Sequence, residues 1–148
     1  MAKRVPLIIV NGRLSPLPNG DVLIDENGED VTGVAAVKVG ENVTAGDFVC
    51  MYDDGGFCIK PASSDSAGIE AEGFALESGT IGEEVRVKYA GVNNVLSGLT
   101  PGSRYYLSTN GAVISTPPTG TGKVVQFIGK AVSATELVFT PNDGVILA

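Results

Sequence analysis

The side chains best suited to chemistry are carboxylates, two cysteines and a glycine-rich loop, because the 148-residue sequence contains no histidine. Without it the commonest general base near neutral pH is missing, and so are the Ser-His and Cys-His nucleophile pairs. Hydrolysis would have to rest on two carboxyls facing each other across a cleft, about 5–9.5 Å apart. The adjacent pairs Asp53-Asp54 and Glu83-Glu84 fall at a turn and a strand start, where solvated turn carboxylates are the expectation. Cys50 and Cys58 alone fall short of a four-ligand zinc site. Asp25-Glu26-Asn27-Gly28-Glu29-Asp30 has the oxygen density calcium favours, but lacks flanking helices and a distal bidentate glutamate, and reads as an acidic turn. Gly120-Thr121-Gly122-Lys123-Val124 fails as a phosphate loop, with Pro117 in place of the first glycine and Val124 in place of Ser or Thr. No catalytic residue, metal or cofactor is expected, and the chain reads as non-enzymatic.

Cys50 and Cys58 flank the turn Asp53-Asp54-Gly55-Gly56, and a three-residue loop would let them face each other. A reducing compartment and the strain of a cross-strand bridge favour two small buried thiols. Tyr105-Tyr106 is the notable aromatic pair in a chain with nine aromatics and no tryptophan. On a strand the two rings point to opposite faces, so one belongs to the core and the other is a candidate subunit contact. The strand Phe48-Val49-Cys50-Met51-Tyr52 is apolar on both faces, which suits burial by a partner or a sandwiched position.

A net charge of −7 and a sequence pI near 4.4 argue against a nucleic-acid partner, since phosphate binding needs clustered Lys and Arg. The charge is uneven. Lys3, Arg4 and Arg13 give the first 13 residues +3 with no acid, so −7 less +3 leaves −10 on the remainder. This basic lead is a candidate docking arm for an acidic neighbour. Val5 to Val10 is too short for the apolar core of a signal peptide, and no run reaches the roughly 18 apolar residues of a membrane span. Synthesis and first use in a cytoplasm are expected, with no membrane partner, and the Asn42-Val43-Thr44 sequon is then without meaning.

The elements that would carry these residues are strands. Glycine at 20 and proline at 8, with few long apolar runs, is the balance of short strands joined by tight turns. Residues 5–10 and 21–24 read as strands of an arm, and Pro16, Pro18 and Gly20 keep the stretch between them extended or turning. The acidic break at 25–30 separates an N-terminal arm, 1–30, from a body, 31–148. Strands are expected at 34–39, 47–53, 57–60, 72–77, 83–89, 104–108, 112–115, 124–132, 136–140 and 144–147, the spacing of an all-β sandwich or small barrel. In Glu84 to Tyr89 the alternation turns Val85, Val87 and Tyr89 inward and Glu84, Arg86 and Lys88 outward.

An offset of 56 residues lays the body on itself. Val43-Thr44-Ala45-Gly46-Asp47 meets Leu99-Thr100-Pro101-Gly102-Ser103; Gly55 meets Gly111, Pro61 meets Pro117, and Gly73-Phe74-Ala75 meets Gly129-Lys130-Ala131. Shortening the second copy by four residues brings Glu84-Val85-Arg86-Val87 onto Glu136-Leu137-Val138-Phe139. Two β units, about 43–91 and 99–141, are expected to close over a shared core about a pseudo-twofold axis. A different strand order in the two units would refute the duplication.

The stretch Gly98 to Ser108, with Gly111 to Ser115 and Val125 to Ala131, resembles a module of tailed-phage structural proteins. Thr44-Ala45-Gly46-Asp47-Phe48-Val49 and Glu72-Gly73-Phe74-Ala75 resemble the glycine-punctuated strands of the capsid decoration or cement family. The chain is also similar to tail-fibre β domains, and Asn11 to Asp21 looks like the lead-in of a phage appendage protein. The resemblance covers about residues 33–141. It implies a β-sandwich or barrel on the outside of a phage head, homo-oligomeric as a dimer or trimer, with the major capsid protein as partner. A fibre or spike head domain for receptor or glycan binding is the alternative. Candidate contacts with the capsid or another subunit are Lys3, Arg4, Arg13, Tyr105 and Tyr106.

Overall fold

Among the described residues every regular element is a β-strand. The computed structural model describes residues 7–10, 13–16 and 34–148. The chain divides into two compact units, Met1–Val34 and Ala35–Ala148. In the first, β1 (Leu7–Val10) runs antiparallel to β2 (Arg13–Pro16), with Leu7 opposite Pro16 and Val10 opposite Arg13. The first expected arm strand therefore pairs with Arg13–Pro16, inside the stretch read as a connection. The second, at 21–24, lies outside the described residues.

The second unit begins with five strands closed into a barrel: β3 (Val34–Val39), β4 (Phe48–Asp53), β5 (Phe57–Pro61), β6 (Gly73–Ala75) and β7 (Glu84–Lys88), in the order β3-β5-β4-β6-β7. β4 and β5 form a hairpin across Asp54-Gly55-Gly56, where Asp53 Oδ1 accepts from the Gly56 N–H at 2.8 Å. Gly55 and Gly56 take φ of 68° and 141°, values that suit glycine in a short hairpin loop. β3 runs parallel to β5, and the ring closes where the Val39 N–H donates to Glu83 O at 2.8 Å and the Gly82 N–H to Val39 O at 2.9 Å. Alternation supplies the interior: Val37, Val39, Val43, Val49, Ile59, Ala75, Val85 and Val87 fill it. Small and β-branched side chains suit so narrow a ring. Tyr89 packs against this core half-buried, while Glu84 is exposed, as the alternation at 84–89 predicts.

Five more strands form an open sheet: β8 (Gly91–Asn93), β9 (Arg104–Leu107), β10 (Val113–Ile114), β12 (Phe127–Ala131) and β13 (Leu137–Phe139), in the order β10-β9-β12-β13-β8. A separate antiparallel pair joins β11 (Val124–Val125) to β14 (Val145–Ile146). Applying the offset, with its four-residue shortening before the last strand, turns β3, β4, β5, β6 and β7 into β8, β9, β10, β12 and β13. The cyclic strand order is then the same in both, and the ring that closes in the first copy stays open between β8 and β10 in the second.

Turn geometry repeats with the order. Gly46 N–H donates to Ala75 O at 2.8 Å and Gly102 N–H to Ala131 O at 2.7 Å; Asp47 N–H donates to Thr44 O and Ser103 N–H to Thr100 O; Ala75 N–H donates to Asp47 O and Ala131 N–H to Ser103 O. Gly46 and Gly102 share a positive φ, 91° and 80°.

The copies nevertheless pack through unlike faces. Tyr105, Leu107, Ala131, Leu137 and Phe139 stand at the positions of the barrel's interior residues, yet they bury against Phe48, Cys50 and Phe74 on the barrel's outer wall. A twofold axis would join like faces. The duplication thus holds in strand order and turns, and its shared core is assembled front to back. Two buried amides secure the join. Asn93 Nδ2 donates to Gly46 O at 2.9 Å, and Gln126 bonds both backbone groups of Ala71.

The expected strand at 124–132 is broken at Gln126. Its first part pairs with β14, and the register of the rest shifts between Phe127 and Gly129. The cysteines are free and buried. The hairpin loop does have three residues, but Cys50 lies opposite Lys60 and Cys58 opposite Tyr52, so the two do not face each other. Burial pushes the Cys50 thiol up to about 11, with Lys60 pulling the other way.

Candidate docking surface

β9 divides its tyrosines as strand alternation requires. Tyr105 is 7% exposed and its hydroxyl accepts from the Thr100 N–H at 2.8 Å, so it belongs to the core. Tyr106 points the other way and meets the edge of Phe127, ring centroids 5.9 Å apart. The Arg104 guanidinium lies over the same Phe127 ring, 4.1 Å from its centroid, a cation–π contact that orients the charge.

Register builds a surface around these three side chains. Ile114 is opposite Tyr106 and Tyr106 opposite Phe127; Arg104 is opposite Lys130, Lys130 opposite Val138, and Val138 opposite Val92. Ile114, Val92 and Val138 are 41%, 42% and 37% exposed. The outer face of the open sheet is therefore an apolar and aromatic strip carrying two cations. Of the candidate contacts, Tyr106 lies on this face. Arg13 lies in β2, opposite Val10, and Lys3 and Arg4 lie outside the described residues. Sequence reasoning missed Arg104, Phe127 and Lys130, although i, i+2 spacing from Tyr106 marks Arg104 for the outer face.

Charge is segregated along the body. Residues 35–90 hold ten acids and four bases, a net −6, whereas 91–148 hold Glu136 and Asp143 against Arg104, Lys123 and Lys130, a net +1. The acids first considered for chemistry serve turns. Asp53 closes the β4–β5 loop, and Glu83 accepts from the Thr80 N–H and hydroxyl, which hold its carboxyl below the usual range. Lys123 pairs with Asp65 across a shallow cleft that Ser64, Ser108, Thr109 and Pro117 also line.

No protein-family model and no curated protein matches the sequence. Among solved structures, the chain resembles the N base of head fiber gp8.5 of bacteriophage phi29, with a TM-score of 0.50 at 16% identity, covering 74% of this chain and 95% of that one. The likeness is one of fold, and the β architecture found here is shared with a domain of a phage head fiber.

Proposed function

We propose that this chain is a structural, non-catalytic protein of a tailed-phage virion, bound to the outer surface of the head as a decoration or cement protein. The observation that carries the reading is the fold shared with a phage head fiber base, met in a chain whose sequence resembles phage decoration proteins. The basic N-terminal residues Lys3, Arg4 and Arg13 dock on acidic major capsid subunits, and the protein self-associates, so that modest contacts are multiplied by the symmetry of the lattice. Incubating the full chain with purified heads that lack it, then sedimenting the heads, tests this. Saturable binding by the wild type and at least tenfold weaker binding by K3E/R4E/R13E is expected. Heads that never retain the wild type would overturn it.

The neighbour is itself a fiber component, which favours as second reading a receptor-binding or glycan-binding appendage. Hydroxyls beside Pro117 and Lys123 in the shallow cleft suit a sugar. Binding of the isolated protein to host envelope polysaccharide, with heads left unbound, would favour this reading over decoration.

A further inference from the structure

We propose that the outer face of the open sheet, built on Arg104, Tyr106, Phe127 and Lys130, is the seat of a second copy of this chain, which covers it with its acidic barrel half. The fold supplies the template. In the first copy of the repeat the corresponding outer face presents Phe48, Cys50 and Phe74, and the next sheet buries it. The offset places Arg104, Tyr106 and Lys130 at those positions, and this time no other strand of the second unit covers them. Two positions that are apolar where the sheet's apolar inner face covers them are cationic where the face is open. Among the described residues neither Arg104 nor Lys130 makes an ion pair.

The occupant follows from charge. An apolar strip with two unpaired cations calls for an acidic cover with some apolar surface of its own. The half of the molecule from 35 to 90 carries −6 and exposes Ile81 and Phe57 at 68% and 58%. The stacking of Arg104 on Phe127 fixes the guanidinium before binding, which lowers the entropy lost on association. Because the surfaces that meet are different, the contact is heterologous and closes as a ring if the rotation permits. This deepens the self-association in the proposed function, and its readout involves no heads, so the two fail separately.

The test is sedimentation of the full chain with R104E/K130E, and with R104Q/K130Q as the milder pair, circular dichroism confirming that both stay folded. The wild type should be an oligomer whose dissociation constant rises at least tenfold between low salt and 0.5 M salt. R104E/K130E should be monomeric and R104Q/K130Q intermediate. The variant keeps its acidic half, so a labelled sample should still join wild-type protein while failing to join itself. A monomeric wild type, an oligomer indifferent to both pairs, or a variant unable to join wild type would each overturn the proposal. Loss of head binding by the variant of a monomeric wild type would assign the face to the capsid instead.

Discussion

Gln126 Oε1 accepts from the Ala71 N–H at 2.7 Å while its Nε2 donates to the Ala71 carbonyl at 2.8 Å. The side chain thereby stands in for a strand partner between segments 55 residues apart, and its second Nε2 hydrogen goes to Asn142 O at 2.8 Å. Both residues are buried. Gln126→Ala would leave two backbone groups of Ala71 without partners, each worth about 1–3 kcal/mol in lost desolvation compensation. Urea unfolding should show a loss of roughly 2–5 kcal/mol; a loss under about 1 kcal/mol would mean that water takes over the role.

That residue also marks where sequence reading stopped short. Hydrophobic alternation located the strands flanking it, because alternation follows directly from which face is buried. A buried glutamine inside an apolar run carries no such periodic mark, so the break between β11 and β12 was invisible. Strand β8 escaped for the same reason, being three residues long with Asn93 where the first copy has Val37. The pairing of Leu7–Val10 with Arg13–Pro16 was missed, although the two residues between them are Asn11-Gly12, the strongest two-residue hairpin signal. The repeat was legible because glycines with positive φ at 46 and 102 cannot drift without strain. The stacking of unlike faces was not, because it depends on which sheet closes upon itself.

Phe48, Phe74 and Phe139 meet edge to face, with centroids 5.2, 5.8 and 6.1 Å apart, and Phe139 alone comes from the open sheet. Barrel and sheet should therefore unfold together. Phe139→Ala is expected to cost about 3–5 kcal/mol. Denaturation followed by both fluorescence and circular dichroism should remain one coincident transition in the wild type. Two separated transitions would show that the halves fold independently.

Asp47 is half-buried beside the first repeat's turn, and burial raises its pKa, partly offset by the Thr44 N–H that donates to Oδ2 at 2.8 Å. A raised folded-state pKa means the folded protein binds its proton more tightly than the unfolded chain. The burial penalty is absent at pH below the ordinary carboxylate range, develops as pH rises through the folded pKa, and is constant above it. Asp47→Asn keeps an acceptor for Thr44 and removes the charge. Its melting temperature should exceed the wild type's at pH 7, with the gap closing toward pH 3. A gap that widens on acidification would mean that the Thr44 bond outweighs burial.

The equivalent turn of the second repeat solves the same problem without a charge, since Ser103 replaces Asp47 and the Thr100 N–H is taken by the Tyr105 hydroxyl at 2.8 Å. Adjacent tyrosines should then respond unequally to loss of a hydroxyl. Tyr105→Phe strips the acceptor from a part-buried N–H and is expected to cost about 1–2 kcal/mol. Tyr106→Phe leaves its ring on Phe127 and should change stability by less than about 0.5 kcal/mol. Thermal melts of the two variants side by side check this. A loss below about 0.5 kcal/mol from Tyr105→Phe would mean that the stability of the turn does not depend on the Tyr105 hydroxyl, and the symmetry between the two repeats would then reside in the backbone alone.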